Sequence, residues 1–171
     1  VLIYSRTRRG VERWAAQLRQ AGLPALAYHA GMDVESRLLA LQQFQEEPQP
    51  VLVATVAFGM GVDRPDVGLV LHLELPASPE GYLQESGRAG RDGEPAEVLL
   101  LYSDGDRSSL AWAVRKGREG AAVQLRRMES IAEGPGCRQQ ALLLAVGEMA
   151  EPCGCCDRCL EPVLMQDGQQ I

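Results

Sequence analysis

Two groups of side chains have the types and spacings of working chemistry. Residues Gln84 to Gly93 read Gln-Glu-Ser-Gly-Arg-Ala-Gly-Arg-Asp-Gly, so Arg88 and Arg91 stand three apart, each beside a glycine, at the end of an expected helix. A guanidinium is always charged and carries a planar fork of donors, so two of them on one helical face suit a polyphosphate. A polar helix end with a glycine stop is the plainer alternative. The second group is Cys137, Cys153, Cys155, Cys156 and Cys159, all the cysteines of the chain, crowded into its last 35 residues. Cys153, Cys156 and Cys159 form two overlapping C-x-x-C knuckles, and Cys137 opens the preceding helix. Four thiolates at that spacing can converge on one tetrahedral zinc, and crowding of this kind favours a metal over disulfides. Cys155 is an extra thiol between ligands, and chain geometry prefers the i, i+3, i+6 set. A metal there has a structural role, holding together a segment too small to build its own core.

A third stretch, Ala54 to Asp63, runs from a strand into a loop with glycines at 59 and 61. Gly61 allows a close backbone approach, Asp63 can accept from a ribose hydroxyl, and Thr55 can touch a phosphate. A turn with Asp63 as a cap, before Arg64-Pro65 imposes an extended exit, is the alternative. His29 and His72 sit at or near strand ends, where a histidine can be a satisfied structural residue. Trp14 belongs to a core face.

The elements that must hold these residues follow from hydrophobic period. Val1–Ser5, Leu26–His29, Val51–Val56, Val67–Leu75 and Glu97–Tyr102 are short apolar runs consistent with buried strands. Val11, Trp14, Ala15 and Leu18 recur at helical spacing, and Asp33 can cap a helix whose Val34, Leu38, Leu41 and Phe44 form a stripe. A helix over roughly Pro79–Arg88 carries the arginines. Alternation of this kind predicts an α/β fold, a parallel sheet covered on both faces, with ligands at the carboxyl ends of the strands. After Ser103 the strand pattern stops. Two short helices, around Leu110–Val114 and Val123–Met128, and a third from Cys137 to about Val146 lead into the cysteines, and Leu160–Ile171 reads as a tail or linker.

The 171 residues accommodate one ordinary domain and an appendage, and no apolar run approaches the ~20 residues of a membrane span. The start at Val1, in mid-strand and without methionine, is that of a piece of a longer protein. The net charge of −6 argues weakly against nucleic acid, but residues 1–40 carry six arginines against three acids, and residues 105–130 six bases against three acids. Local stripes of this sort matter more than the sum to a phosphate backbone.

Ala-Phe-Gly-Met-Gly-Val-Asp (57–63) together with the stretch from Gln84 to Gly93 resembles motifs V and VI of superfamily 2 helicases, specifically those of the RecQ family. Ile3-Tyr4-Ser5-Arg6 resembles motif IV, Tyr28-His29-Ala30-Gly31 the segment before motif V, and Cys137-Arg138 and Glu151-Pro152-Cys153-Gly154 the flanks of the family's zinc ligands. The resemblance covers nearly the whole chain. It implies a second RecA-like domain over residues 1–103, a helical hairpin and zinc-binding domain over 104–163, and a tail over 164–171. It implies the C-terminal lobe of an ATP-dependent 3′-to-5′ DNA helicase of recombination and repair. In that reading Arg91 is the arginine finger, Arg88 a second γ-phosphate or coupling contact, and Gln84 a polar link across the cleft. Asp63 and Gly61 lie near the nucleotide, and Thr55, His29 and Arg6 face the DNA backbone. Cofactors are structural zinc on Cys137, Cys153, Cys156 and Cys159, and ATP with Mg2+ shared with a first RecA-like lobe. Partners are DNA strands and junctions, with no membrane, and the location is intracellular, bacterial cytoplasm or nucleus. No G-x-x-x-x-G-K-S/T loop and no Asp-Glu magnesium motif occurs in these residues, so the segment alone is expected to be inactive. The alternative is a non-catalytic zinc-stabilised nucleic-acid-binding or regulatory module that retains a helicase-like lobe.

Overall fold

Strands buried on both faces need apolar side chains at every position, and the short runs of this sequence supply them. In the computed structural model, residues 1–55, 64–103, 105–106 and 120–161 are described, with the backbone alone at 165–166 and 169–170. The chain divides into two compact units, Val1–Leu75 with Gln84–Ser103, and Pro76–Leu83 with Asp104–Ile171.

The first unit is a parallel sheet. Strands β1 (Leu2–Tyr4), β2 (Ala25–Tyr28), β3 (Val51–Ala54), β4 (Leu69–His72) and β5 (Glu97–Leu100) lie in the order β2-β3-β1-β4-β5. All pairings are parallel, with Leu2 opposite Leu52 and Val70. Alternate residues of each strand face opposite ways. Leu2, Tyr4, Leu52, Ala54 and Val70 pack with Phe44 of helix α2 (Val34–Glu46). Ile3, Val51 and Val53 pack with Val11 and Ala15 of helix α1 (Arg8–Gln20). The expected parallel sheet with helices on both faces is the fold observed.

Two details differ from the periodicity. In α2 the buried positions are Ala40 and Phe44, with Leu41 packed beside them, while Val34 is 63% exposed and Leu38 is also exposed. Asp33 does cap this helix, accepting from the Ser36 amide at 2.8 Å. The buried face is therefore set by the second half of the helix, where it crosses the sheet. The edge strand β5 leaves Val98 and Leu99 exposed, so an apolar run here marks strand propensity and not burial.

The turn from β1 into α1 is tight. Thr7 caps α1 by accepting from the Gly10 amide at 2.9 Å. A Cβ on Gly10 would stand 2.3 Å from Ser5 Oγ and 2.9 Å from Thr7 Oγ1. Ser5 Oγ is not idle, since it donates to Glu74 Oε1 at 3.1 Å. Gly10→Ala should therefore destabilise the protein by about 1–3 kcal/mol through loss of that bond and the cap, even though alanine favours a helix interior by about 1 kcal/mol. Urea unfolding checks this: a more stable variant would mean that Ser5 rotates away without loss.

The second unit contains helices α4 (Ala121–Glu133), α5 (Arg138–Ala145) and the short α6 (Asp157–Leu160). Helix α3 (Pro79–Ser86) is divided between the units after Leu83. The expected helix near Val123–Met128 is a single helix of 13 residues, and the one expected near Leu110–Val114 lies outside the described residues. The tail contains a two-stranded antiparallel pairing of β6 (Met165–Gln166) with β7 (Gln169–Gln170). No described helix is long and apolar enough to cross a membrane.

Candidate functional site and metal centre

A parallel sheet brings every strand's carboxyl end to one edge. Ser5 and Arg6 after β1, His29 after β2 and Thr55 after β3, all singled out from the sequence, therefore stand there, and Glu74 follows β4. β1 and β4 are neighbours whose onward connections run in opposite directions across the sheet, the switch point at which ligands of such folds gather. Glu74 spans this point, accepting from Ser5 Oγ and from the Arg6 amide, both at 3.1 Å. Thr55 is half-buried, its amide donating to Tyr28 O at 3.2 Å. His29 is buried. The Gly31 amide donates to its Nδ1 at 3.2 Å, which leaves the proton on Nε2, 3.2 Å from Glu12 Oε1. Both ring nitrogens are thus engaged within the lobe.

The arginine segment follows α3. Gln84 and Arg91 are exposed, whereas Arg88 is only 8% exposed. Arg91 Nε donates to Gly87 O at 3.1 Å. Gly90 has a positive φ of 62°, which favours glycine, and its amide donates to Val67 O at 3.0 Å. Spacing alone treats the two arginines as equivalent; the fold separates them into one enclosed and one presented. Asp63 and Gly61 lie outside the described residues.

Three partners were hidden from sequence reasoning because each depends on tertiary distance. One is Glu74. Another is the buried pair His72 Nε2 with Glu85 Oε2 at 2.7 Å. The last is Arg64, which donates to the carbonyls of Phe44 and Glu47 at the C-terminus of α2 while Nε and Nη2 grip Asp66 at 2.8 Å. A cation on those last carbonyls satisfies orphan acceptors and opposes the negative end of the helix dipole.

In the second unit four sulfurs converge. Those of Cys137, Cys153, Cys156 and Cys159 all lie within 4.8 Å of one another. Cys137 Sγ is 3.5 Å from Cys153 Sγ and 4.0 Å from Cys156 Sγ, and Cys153 Sγ is 3.9 Å from Cys159 Sγ. A tetrahedron with metal–sulfur bonds of about 2.3 Å has edges of about 3.8 Å, whereas a disulfide requires about 2.05 Å. The spacing fits a four-thiolate zinc site and excludes paired disulfides. Cys155 is exposed and outside the group.

Backbone amides prepare the sulfurs for negative charge. Cys137 Sγ accepts from the amides of Gln140 and Cys153, Cys153 Sγ from that of Cys156, and Cys156 Sγ from that of Arg138, at 3.3–3.4 Å. The Cys155 amide, followed by that of Cys156 and against the cost of burial, holds the Cys153 thiol below its ordinary value. Gly154, at φ 72°, gives the knuckle its turn. Arg138 ties this assembly together: Nη1 donates to Ile131 O and Ala132 O at the end of α4, while Nε and Nη2 fork onto the Asp157 carboxylate at 3.1 and 3.0 Å.

Residues 1–93 match the family described as helicase conserved C-terminal domain, and residues 105–160 match RecQ zinc-binding. Sheet and cysteine site together thus define a helicase C-terminal lobe joined to a zinc-binding module. The solved structure of the E. coli DEAD-box protein SrmB bound to regulator of ribonuclease activity A is similar at a TM-score of 0.57 and 30% identity, over 69% of each chain. The chain belongs to the RecQ family of helicases, of which it carries these two domains. It is 43% identical to the ATP-dependent DNA helicase RecQ of Haemophilus influenzae and 41% identical to that of Pasteurella multocida, over 98% of this chain in each case. The chain spans 28% and 27% of the length of those two relatives.

Proposed function

We propose that this segment is the C-terminal motor lobe and zinc platform of an ATP-dependent DNA helicase moving 3′ to 5′ in DNA recombination and repair. The observation that carries it is the pairing, in one chain, of a RecA-like lobe that presents an exposed Arg91 with a four-thiolate module. The lobe comprises residues 1–103, the helical and zinc-binding part 104–163, and 164–171 is a tail. ATP with Mg2+ lies between this lobe and a first RecA-like lobe, against Arg91, Arg88, Gln84 and the Gly61–Asp63 stretch. Arg91 stabilises the charge developing on the γ-phosphoryl group. Arg6 and Thr55 meet the DNA backbone, and His29 belongs to the same face, where it orients the loop at Gly31. Cys137, Cys153, Cys156 and Cys159 hold zinc, which supplies a cross-link between the start of α5 and the knuckle and takes no part in the reaction. The relatives carry the names of ATP-dependent DNA helicases, and a place beside the DNA inside the cell, in bacterial cytoplasm or nucleus, is proposed here.

The test is ATP hydrolysis. The isolated segment should fold and bind zinc but show no turnover, while the intact protein should hydrolyse ATP when DNA is added and separate a duplex carrying a 3′ tail. Metal-dependent turnover by the segment alone, insensitive to Arg91→Ala, would overturn the two-lobe reading. An intact protein that binds DNA without turnover would favour the non-catalytic module.

A further inference from the structure

A histidine and a glutamate enclosed together are costly in a lobe whose surrounding core is apolar. His72 Nε2 and Glu85 Oε2 are 2.7 Å apart, with side chains only 2% and 7% exposed. Two apolar residues of similar volume would fill the space without that desolvation cost. What the polar pair adds is direction: a donor facing a carboxylate at this distance fixes where the end of α3 stands over the end of β4.

The location indicates what that direction serves. His72 ends β4 and pairs in register with Tyr4, the last residue of β1, at the switch point. The two rings stack, with centroids 5.0 Å apart and planes at 17°. Glu85 follows Gln84 directly and precedes Arg88 by one helical turn, the Arg88 amide donating to Glu85 O at 3.3 Å. Burial pushes the Tyr4 phenol far up, the neighbouring Arg88 charge opposes that rise, and Glu85 adds to it. Tyr4, His72, Glu85 and Arg88 therefore form one enclosed group beneath the segment, and Arg91 stands exposed beyond it.

We infer that His72 and Glu85 are positioning residues for the nucleotide-facing arginines. Their hydrogen bond, backed by the Tyr4 ring, sets the register of the end of α3, and through it the placement of Arg88 and Arg91. Neither residue touches nucleotide. The inference rests on the proposed ATPase role of Arg91.

The test uses the intact protein with DNA present. The double variant His72→Leu/Glu85→Leu keeps the volume buried and removes the tether. It should retain bound zinc and a cooperative thermal transition, with a midpoint lowered only by what the enclosed Arg88 loses with its neighbouring carboxylate. Its kcat should nevertheless fall on the order of 10- to 100-fold, the scale of a misplaced catalytic group, with the KM for ATP little changed. His72→Gln, whose amide can still donate to Glu85, should recover most of the lost turnover. Wild-type kcat in the folded double variant overturns the inference; so does a kcat that falls only in step with the midpoint in both variants. Should the double variant not fold, Glu85→Gln against Glu85→Ala makes the same comparison, with turnover expected in the first and lost in the second, and equal turnover overturning the inference. Arg91→Ala is assayed alongside. If it keeps turnover, the ATPase reading of the segment fails; if it loses turnover while the double variant does not, only the positioning role fails.

Discussion

Arg91→Ala in the intact protein should lower ATP turnover on the order of 10³-fold or more, the usual worth of an arginine finger, while leaving DNA affinity nearly unchanged. The asymmetry follows from where the charge acts. Arg91 is exposed at the end of the segment after α3, its Nε held by Gly87 O. A guanidinium aimed at a phosphoryl group in transfer gains most when negative charge accumulates there, so its loss falls on kcat more than on KM. Arg91→Lys should recover little, because an ammonium lacks the planar fork. Arg88→Ala should also damage turnover, but by another route. Arg88 is enclosed with Tyr4 and Glu85, so its removal leaves a buried carboxylate short of a neighbouring charge and should lower the thermal midpoint as well. Steady-state ATPase and DNA-binding titrations on the three variants decide the matter. If Arg91→Ala keeps turnover and loses DNA, the segment faces the strand and not the nucleotide.

How far the sequence reveals the site depends on how local each interaction is. The central strands were legible because a parallel strand covered on both sides needs an apolar residue at nearly every position, as Leu2–Tyr4 and Val51–Ala54 have, whereas the exposed edge strand β5 was legible from strand propensity alone. The cap of α2 by Asp33 was legible because it acts over three residues. The apolar face of α2 was only half legible: Leu41 and Phe44 meet the core, but Val34 and Leu38 share their helical phase without reaching it. Partnerships across many residues left no local trace. Glu74 grips Ser5 and Arg6 from 68 or more residues away, and Arg64 closes the end of α2 from about 20. His72 was read as a structural histidine, and its enclosure agrees with that, yet its partner Glu85 was unforeseen because it lies 13 positions further on, across the passage from a strand to a helix. Burial also divides Arg88 from Arg91, which no spacing rule could do, since the two have the same residue type and similar neighbours in the chain.

Cys137→Ser, Cys153→Ser, Cys156→Ser and Cys159→Ser should each lose bound zinc and most soluble protein, whereas Cys155→Ser should retain both. The four sulfurs stand at tetrahedral edge distances of 3.5–4.0 Å where pairs are in contact, and each of Cys137, Cys153 and Cys156 accepts at least one backbone N–H. A serine cannot supply a soft thiolate, so one change opens a closed site. Structural zinc contributes on the order of 10 kcal/mol to small modules of this kind, more than the few kcal/mol by which a domain of this size is commonly stable. The loss should therefore appear as unfolding of the zinc-binding unit and not as a modest shift of its midpoint. Cys155 is exposed, and its neighbour Cys156 is the one whose sulfur meets Cys137 and the Arg138 amide. Adjacent side chains diverge, so a metal held by Cys153 and Cys159 recruits one of the two. In Cys156→Ser the spare thiol can swing in and soften the loss, which makes that variant the sensitive one. Metal content measured on all five single variants reads the register directly: one zinc per chain kept in Cys156→Ser but lost in Cys155→Ser would mean that the knuckle closes through Cys155.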